Sequence, residues 1–158
     1  MLVLPFLLVL LSAQSASTRM PPAQALPPPT GDEQAVLNSA NSLLAAFSTG
    51  NSVEILRWVY PDGRVTGAGT FPNRTGVHSQ SWTEFAQRAA GSGFQETISD
   101  PAVEVDGDAA MIWAPFVVRI GGKVNNCGFD HFDLVRENGV WKVMNLTFSS
   151  RVTRCPAQ

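Results

Sequence analysis

The densest group of side chains able to do acid–base or metal chemistry is Asp130-His131-Phe132-Asp133, a histidine between two acids. Such residues could form a general base with an orienting carboxylate, or part of a metal ligand set. Asp62, close to Tyr60, and His78 are the other titratable side chains to weigh, and Cys127 and Cys155 bracket the Asp130 segment. Whether any of them act together depends on the elements that carry them.

The segment from Asn125 to Cys155 reads as strand–turn–strand. Asn138-Gly139 is a strong two-residue hairpin signal and sets a register in which Glu137 faces Val140 and Arg136 faces Trp141. Continued outward, that register pairs Leu134 with Val143, Phe132 with Asn145 and Asp130 with Thr147. Side chains alternate along a strand, so one face carries Asp130, Phe132, Leu134, Arg136, Trp141, Val143, Asn145 and Thr147. The other carries Phe129, His131, Asp133, Val135, Lys142, Met144, Leu146 and Phe148. The alternation separates Asp130 from His131, and a joint metal site needs both on one side. No metal is expected.

The first face is the better wall for a cavity, with an apolar block beside a few convergent polar groups. Its expected lining is Phe132, Leu134, Trp141, Val143, Asn145 and Thr147, with Trp113 added from the preceding strand. The second face is apolar as well and fits a covered back, such as a homodimer contact through the sheet.

Ahead of this hairpin, Val36, Leu37, Ala40, Leu43, Leu44 and Phe47 recur at helical spacing, with Thr30 or Asp32 as cap and Gly50 as stop. A short helix from about Ser52 is broken by Pro61, and Asp62-Gly63 turns into a short strand, "RVTGAG". "GTFPNRTGVHSQ" has loop composition. A third helix follows, with Ser81 and Glu84 at capping-box spacing. The remainder reads as about four strands in a meander, with a bulge or kink expected at Pro115. Helices first and antiparallel strands last make an α+β fold.

The first eleven residues are all apolar and lead into small polar residues, as in a secretory signal over 1–17. The run is far short of the roughly 20 residues that span a bilayer, so no lasting membrane anchor is expected. A proline-rich tether follows over 18–31, then one domain over 32–156. A net charge of −2, with 11 Lys and Arg scattered along the chain, argues against nucleic acid. Two cysteines suit an oxidising compartment, periplasmic or extracellular. A Cys127–Cys155 bridge would close a loop of about 29 residues, for which chain entropy gives roughly 3–4 kcal/mol. Two buried free thiols are the other reading.

Several stretches resemble the nuclear transport factor 2-like superfamily, in particular its SnoaL-like, lumazine-binding type of small exported protein. They are "VYPDG" (59–63), "VDGDAAMIWAPF" (105–116), "CGFDHFDLVRENGVWKV" (127–143) and the closing "TRCP" (153–156). The resemblance implies a cone-shaped fold, with three N-terminal helices packed on a curved antiparallel sheet. It covers isomerases, dehydratases, cyclases and non-enzymatic pockets, so fold leaves function open. Relatives often carry a histidine before the Cys-Gly pair. Here that residue is Asn126, which cannot titrate at neutral pH.

Asp130 is the one acid–base candidate. In an apolar cone its charged form is disfavoured, which suits proton transfer. Alternatively it accepts structural hydrogen bonds from Asn145, Thr147 or a loop. Asp62 reads as a turn residue, His78 as a loop residue and His131 as a back-face residue. The chain thus reads as an exported module binding a small apolar ligand, without a cofactor. The alternatives are a cofactor-free isomerase or dehydratase with Asp130 as general base, and a dimeric interaction domain without ligand. An enzyme of this kind needs two or three convergent acid–base groups, and only one is placed.

Overall fold

The computed structural model describes residues 30–156. The apolar leader and most of the proline-rich tether lie outside the described residues. Helix α1 spans Gly31–Thr49 and α2 spans Ser52–Arg57, followed by strands β1 (Arg64–Phe71) and β2 (Arg74–Ser81) and helix α3 (Trp82–Ala89). Strands β3 (Phe94–Ile98), β4 (Ala102–Asp106), β5 (Ala109–Ile120), β6 (Lys123–Glu137) and β7 (Val140–Ser150) complete the chain.

Local chemistry explains the helix starts. Thr30 and Glu33 form a capping box at α1, and Ser81 and Glu84 form another at α3, each pair satisfying otherwise orphaned backbone N–H groups. Val36, Leu37, Ala40, Leu43, Leu44 and Phe47 are all buried along α1, in one core with Ile112, Phe132, Leu134, Trp141 and Val143 of the sheet. The Ser39 hydroxyl of the helix donates to the Trp141 carbonyl at 2.8 Å, fixing α1 on β7.

The seven strands form one open sheet in the order β2-β1-β7-β6-β5-β3, with β4 also paired to β5. It is mixed: β1 runs parallel to β7, and the other pairs are antiparallel. The segment expected to be a loop after β1 is the strand β2, with Phe71 to Arg74 closing a hairpin. Its Gly, Ser and Asn content reflects an exposed edge strand, where no core dictates apolar alternation.

Pro115 acts on its neighbour more than on its own strand. It has no N–H to donate, and the strand beside it breaks there into β3, paired down to Ile98↔Phe116, and β4, starting at Ala102↔Trp113. The Ser99 N–H donates to the Pro115 carbonyl at the break. The ladder irregularity in β5 itself lies at Val118/Arg119.

The β6–β7 hairpin turns as expected, with Asn138 and Gly139 both at positive φ (52° and 79°) and Glu137↔Val140 and Arg136↔Trp141 paired. Beyond Leu134↔Val143 the simple register fails. Asp133 pairs with Asn145, so Met144 is an extra residue in β7. The pairs then become Phe132↔Leu146, His131↔Thr147 and Asp130↔Phe148. The bulge is held from outside the hairpin. The Trp82 indole N–H donates to the Met144 carbonyl at 2.9 Å, and the Tyr60 N–H donates to the Val143 carbonyl at 2.8 Å. Gly63 leaves the space, since a Cβ there would stand 1.6 Å from the Met144 oxygen.

Candidate functional site

The bulge redistributes the side chains assigned from the ideal register. Leu146 and Phe148 turn to the concave side, while Thr147 is exposed. Asn145 accepts from the Arg64 N–H and donates to Asp133, so it serves the β1–β7 seam. Phe132, Leu134, Trp141 and Val143 are buried in the core with α1, which fills the space where a cavity was expected. Trp113 is 46 % exposed and stacks on Phe129 at 5.4 Å on the convex side, with His131 beside it. His131 in turn stands 3.6 Å from Asp133.

The cavity lies at the other end of the cone, where α1 no longer covers the sheet. It measures about 270 Å³ and is walled by aromatic rings, among them Phe71, Phe85, Phe94, Phe116 and Phe148. Its polar lining comes from Gln80, Glu96, Asn125 and Asn126, with Arg74 and Arg88. A larger and more polar groove of about 620 Å³ lies outside it against β2 and α3 and shares Arg74, Gln80 and Arg88.

Asp130 is 1 % exposed, and its carboxyl meets that of Glu96 in a hydrogen bond. The two residues sit on β6 and β3, the strands on either side of β5. Burial raises the Asp130 carboxyl well above the usual carboxylate range, and the charge of Glu96 and their hydrogen bond raise it further. Burial also pushes Glu96 up, to about 7, against the hydrogen bond from Asp130, which lowers it. At neutral pH Asp130 therefore holds the proton and donates it to Glu96, which sits near its own midpoint. Apart from this acid–acid contact, the buried Asp130 Oδ2 and Glu96 Oε1 meet no hydrogen-bond donor among the described residues. No ion pair among the described residues involves either acid.

Glu96 lines the cavity, and Asp130 lies behind it. The sequence reading missed Glu96, although β3 carries a signal. In Phe94-Gln95-Glu96-Thr97-Ile98 the alternation places Glu96 on the inward face with Phe94 and Ile98, while Gln95 and Thr97 are exposed. An acid on the apolar face of a strand marks an unusual site.

The other titratable candidates stand elsewhere. Asp62 is exposed in the turn closed by the Gly63 N–H to the Tyr60 carbonyl. His78 lies in the outer groove, its Nε2 3.0 Å from the Thr75 carbonyl oxygen. Asn126 is buried on the cavity wall and donates to the Ser150 hydroxyl, which donates to the Thr70 carbonyl. Cys127 and Cys155 stand at disulfide distance, with Cα atoms 5.6 Å apart, next to the paired backbones of Cys127 and Arg151. Among the described residues no group of three His, Cys, Asp or Glu side chains could hold a metal ion, and no helix is long and apolar enough to cross a membrane.

Residues 32–147 match the sequence model of the SnoaL-like domain. No curated protein matches the chain significantly in sequence. Solved structures share the fold at low identity. An NTF2-like protein from Cytophaga hutchinsonii superimposes with a TM-score of 0.64 at 13 % identity, over 77 % of this chain and 100 % of its own. A putative calcium/calmodulin dependent protein kinase II association domain from Xanthomonas campestris gives 0.62 at 19 %, over 85 % and 99 %. A putative aromatic ring hydroxylase from Novosphingobium aromaticivorans gives 0.61 at 19 %, over 78 % and 91 %.

Proposed function

The chain belongs to the SnoaL-like domain family, and we propose that its cone holds a small carbonyl compound on which Glu96 moves a proton, as in a cofactor-free isomerase. A SnoaL-like domain is a small-molecule-binding or isomerase-type module, and the paired acids favour the second description. The carrying observation is that two carboxyls are buried against each other with no cation among the described residues to stabilise them. Such a pair costs stability, and a site that only bound an apolar ligand would gain nothing from it.

In this reading Glu96 takes a proton from the carbon beside the ligand carbonyl and returns it to another carbon of the same molecule. No atom is gained or lost, and no co-reactant is needed. A group near its midpoint at neutral pH suits both directions of transfer. Asp130 acts as a positioning residue, holding the Glu96 carboxylate by hydrogen bond. Gln80 lines the same cavity with its amide oxygen buried and unpartnered, and a turn of that amide would bring its N–H donor to the carbonyl oxygen.

The test is hydrogen–deuterium exchange in D₂O at the α-carbon of small aryl and cyclic ketones, followed by mass spectrometry. Exchange above buffer, lost in E96Q, is expected. A panel with no exchange above buffer, or exchange retained in E96Q, would refute the proposal.

The proposed setting is exported, periplasmic or secreted. The apolar leader and the Cys127–Cys155 pair support this, and fractionation of cells expressing the full chain would test it. Homodimerisation is a second reading, favoured by the exposed Trp113–Phe129 stack on the convex face. Light scattering that gave a strict monomer at micromolar concentration would remove it.

A further inference from the structure

We infer that the ligand is a small anion, a ring-sized carboxylate whose charged end meets Arg74 and Arg88 while its carbonyl end reaches Glu96. The inference rests on the reading of the cone as a small-molecule site and adds the charge and orientation of what enters.

Arg74 and Arg88 line both the inner cavity and the outer groove, which places them at the rim where the two meet. Neither has a carboxylate within ion-pair distance among the described residues. Glu84, the acid nearest in sequence to Arg88, feels the Arg88 charge across the outer groove but accepts its close hydrogen bonds from the Ser81 N–H and hydroxyl, at 2.8 and 2.9 Å, and not from Arg88. The Arg74 guanidinium lies 5.0 Å from the centroid of Phe71, a ring of the cavity wall, so it is held over the opening. Two unpaired guanidinium groups above an apolar cavity form a receptor for a carboxylate or a similar oxyanion.

The interior fixes the orientation. The Glu96–Asp130 pair carries negative charge whenever Glu96 is ionised and meets no cation among the described residues, so a second anion is disfavoured at that end. The middle of the cavity offers phenyl rings and no charge. A ligand with its anion at the rim, a flat apolar body and a neutral carbonyl at the depth matches all three zones. The size agrees, since about 270 Å³ is just below the usual range of roughly 300–1,000 Å³ for ligand pockets. That favours one ring over a steroid-sized frame.

The experiment compares matched neutral and anionic probes, 4-acetylbenzoate against 4-acetylbenzamide, with the corresponding 3-acetyl pair, by calorimetry at low salt. The carboxylate is expected to bind about tenfold more tightly than the amide and to lose that advantage at 0.5 M salt. The R74Q/R88Q double variant is expected to abolish the difference, the carboxylate losing about tenfold more affinity than the amide. Both positions are exposed, and a thermal melt checks that the fold survives. Equal affinities within each pair, or a double variant that weakens both members alike, overturn the charge assignment while the cavity reading stands. Failure of every probe to bind at millimolar concentration overturns both.

Discussion

Asp130 donates a hydrogen bond to Glu96 across the concave face of β5, so two acids from separate strands share one proton inside the cone. The pairing gives the acids different tasks. Asp130 is sealed and neutral, whereas Glu96 touches the cavity and titrates near neutrality. Similar carboxyls are pushed apart by position alone.

The pair makes stability depend on pH in an unusual direction. Glu96 has a folded-state value of about 7 against an ordinary value of 4.5, so the native state binds more protons between those limits. Its contribution is present in full below about pH 4.5 and is lost as pH rises through 7. Urea denaturation of the wild type should decline more steeply over that window than E96Q, by on the order of 2–3 kcal/mol, because the raised Asp130 carboxyl contributes a decline to both proteins. Parallel slopes for the two proteins would show that Glu96 is not raised.

Substitutions at Asp130 separate its hydrogen bond from its charge. An amide can still donate to the Glu96 carboxylate, so D130N should keep Glu96 near its native midpoint. D130A removes the donor that lowers Glu96, so the midpoint should rise above about 7. Carbon-13 NMR of the Glu96 carboxyl reads this directly. A midpoint that fell in D130A would contradict the assigned direction of donation.

The α+β order, the α1 core face, the Ser81–Glu84 capping box and the 138–139 turn follow from short-range chemistry that a single strand or helix reveals. The separation of Asp130 from His131 was legible for the same reason, since alternation needs only one strand. Asn145 and Thr147 were misplaced because the Met144 bulge is imposed by Trp82 and Gly63, far away in sequence. Phe132, Leu134, Trp141 and Val143 form an apolar wall that suits either a cavity or a core, and only the docking of α1 decides between them. Glu96 was visible as an acid on an apolar strand face, but its partner lies across β5, a relationship no local pattern contains.

The Cys127–Cys155 pair should act as a clasp on the end of the chain. Beyond β7 the last described residues are held by the Cys127–Arg151 backbone pair and the cysteines. Replacing both cysteines with serine should lower stability by roughly 3 kcal/mol, with the fold retained. Denaturation of oxidised protein against the double variant measures the difference. Addition of reductant should bring the wild type down to the variant's midpoint and leave the variant unchanged.

The Met144 bulge should prove as important to the cavity as the residues lining it. W82F deletes the indole N–H that holds the Met144 carbonyl, an unmade bond worth about 1–3 kcal/mol. G63A is the harsher change, because its methyl would occupy the position of the Met144 oxygen and cannot be accommodated without moving β7. If β7 slips to the simple hairpin register, Asn145 and Thr147 turn inward and Leu146 and Phe148 turn out. Phe148 is a wall of the cavity and packs edge-on to Phe71 and Phe116. G63A should therefore lose more stability than W82F and also lose ligand affinity, although Gly63 does not line the cavity. Denaturation and calorimetry on the two variants test this, and wild-type affinity in a folded G63A protein would show that the bulge does not position Phe148.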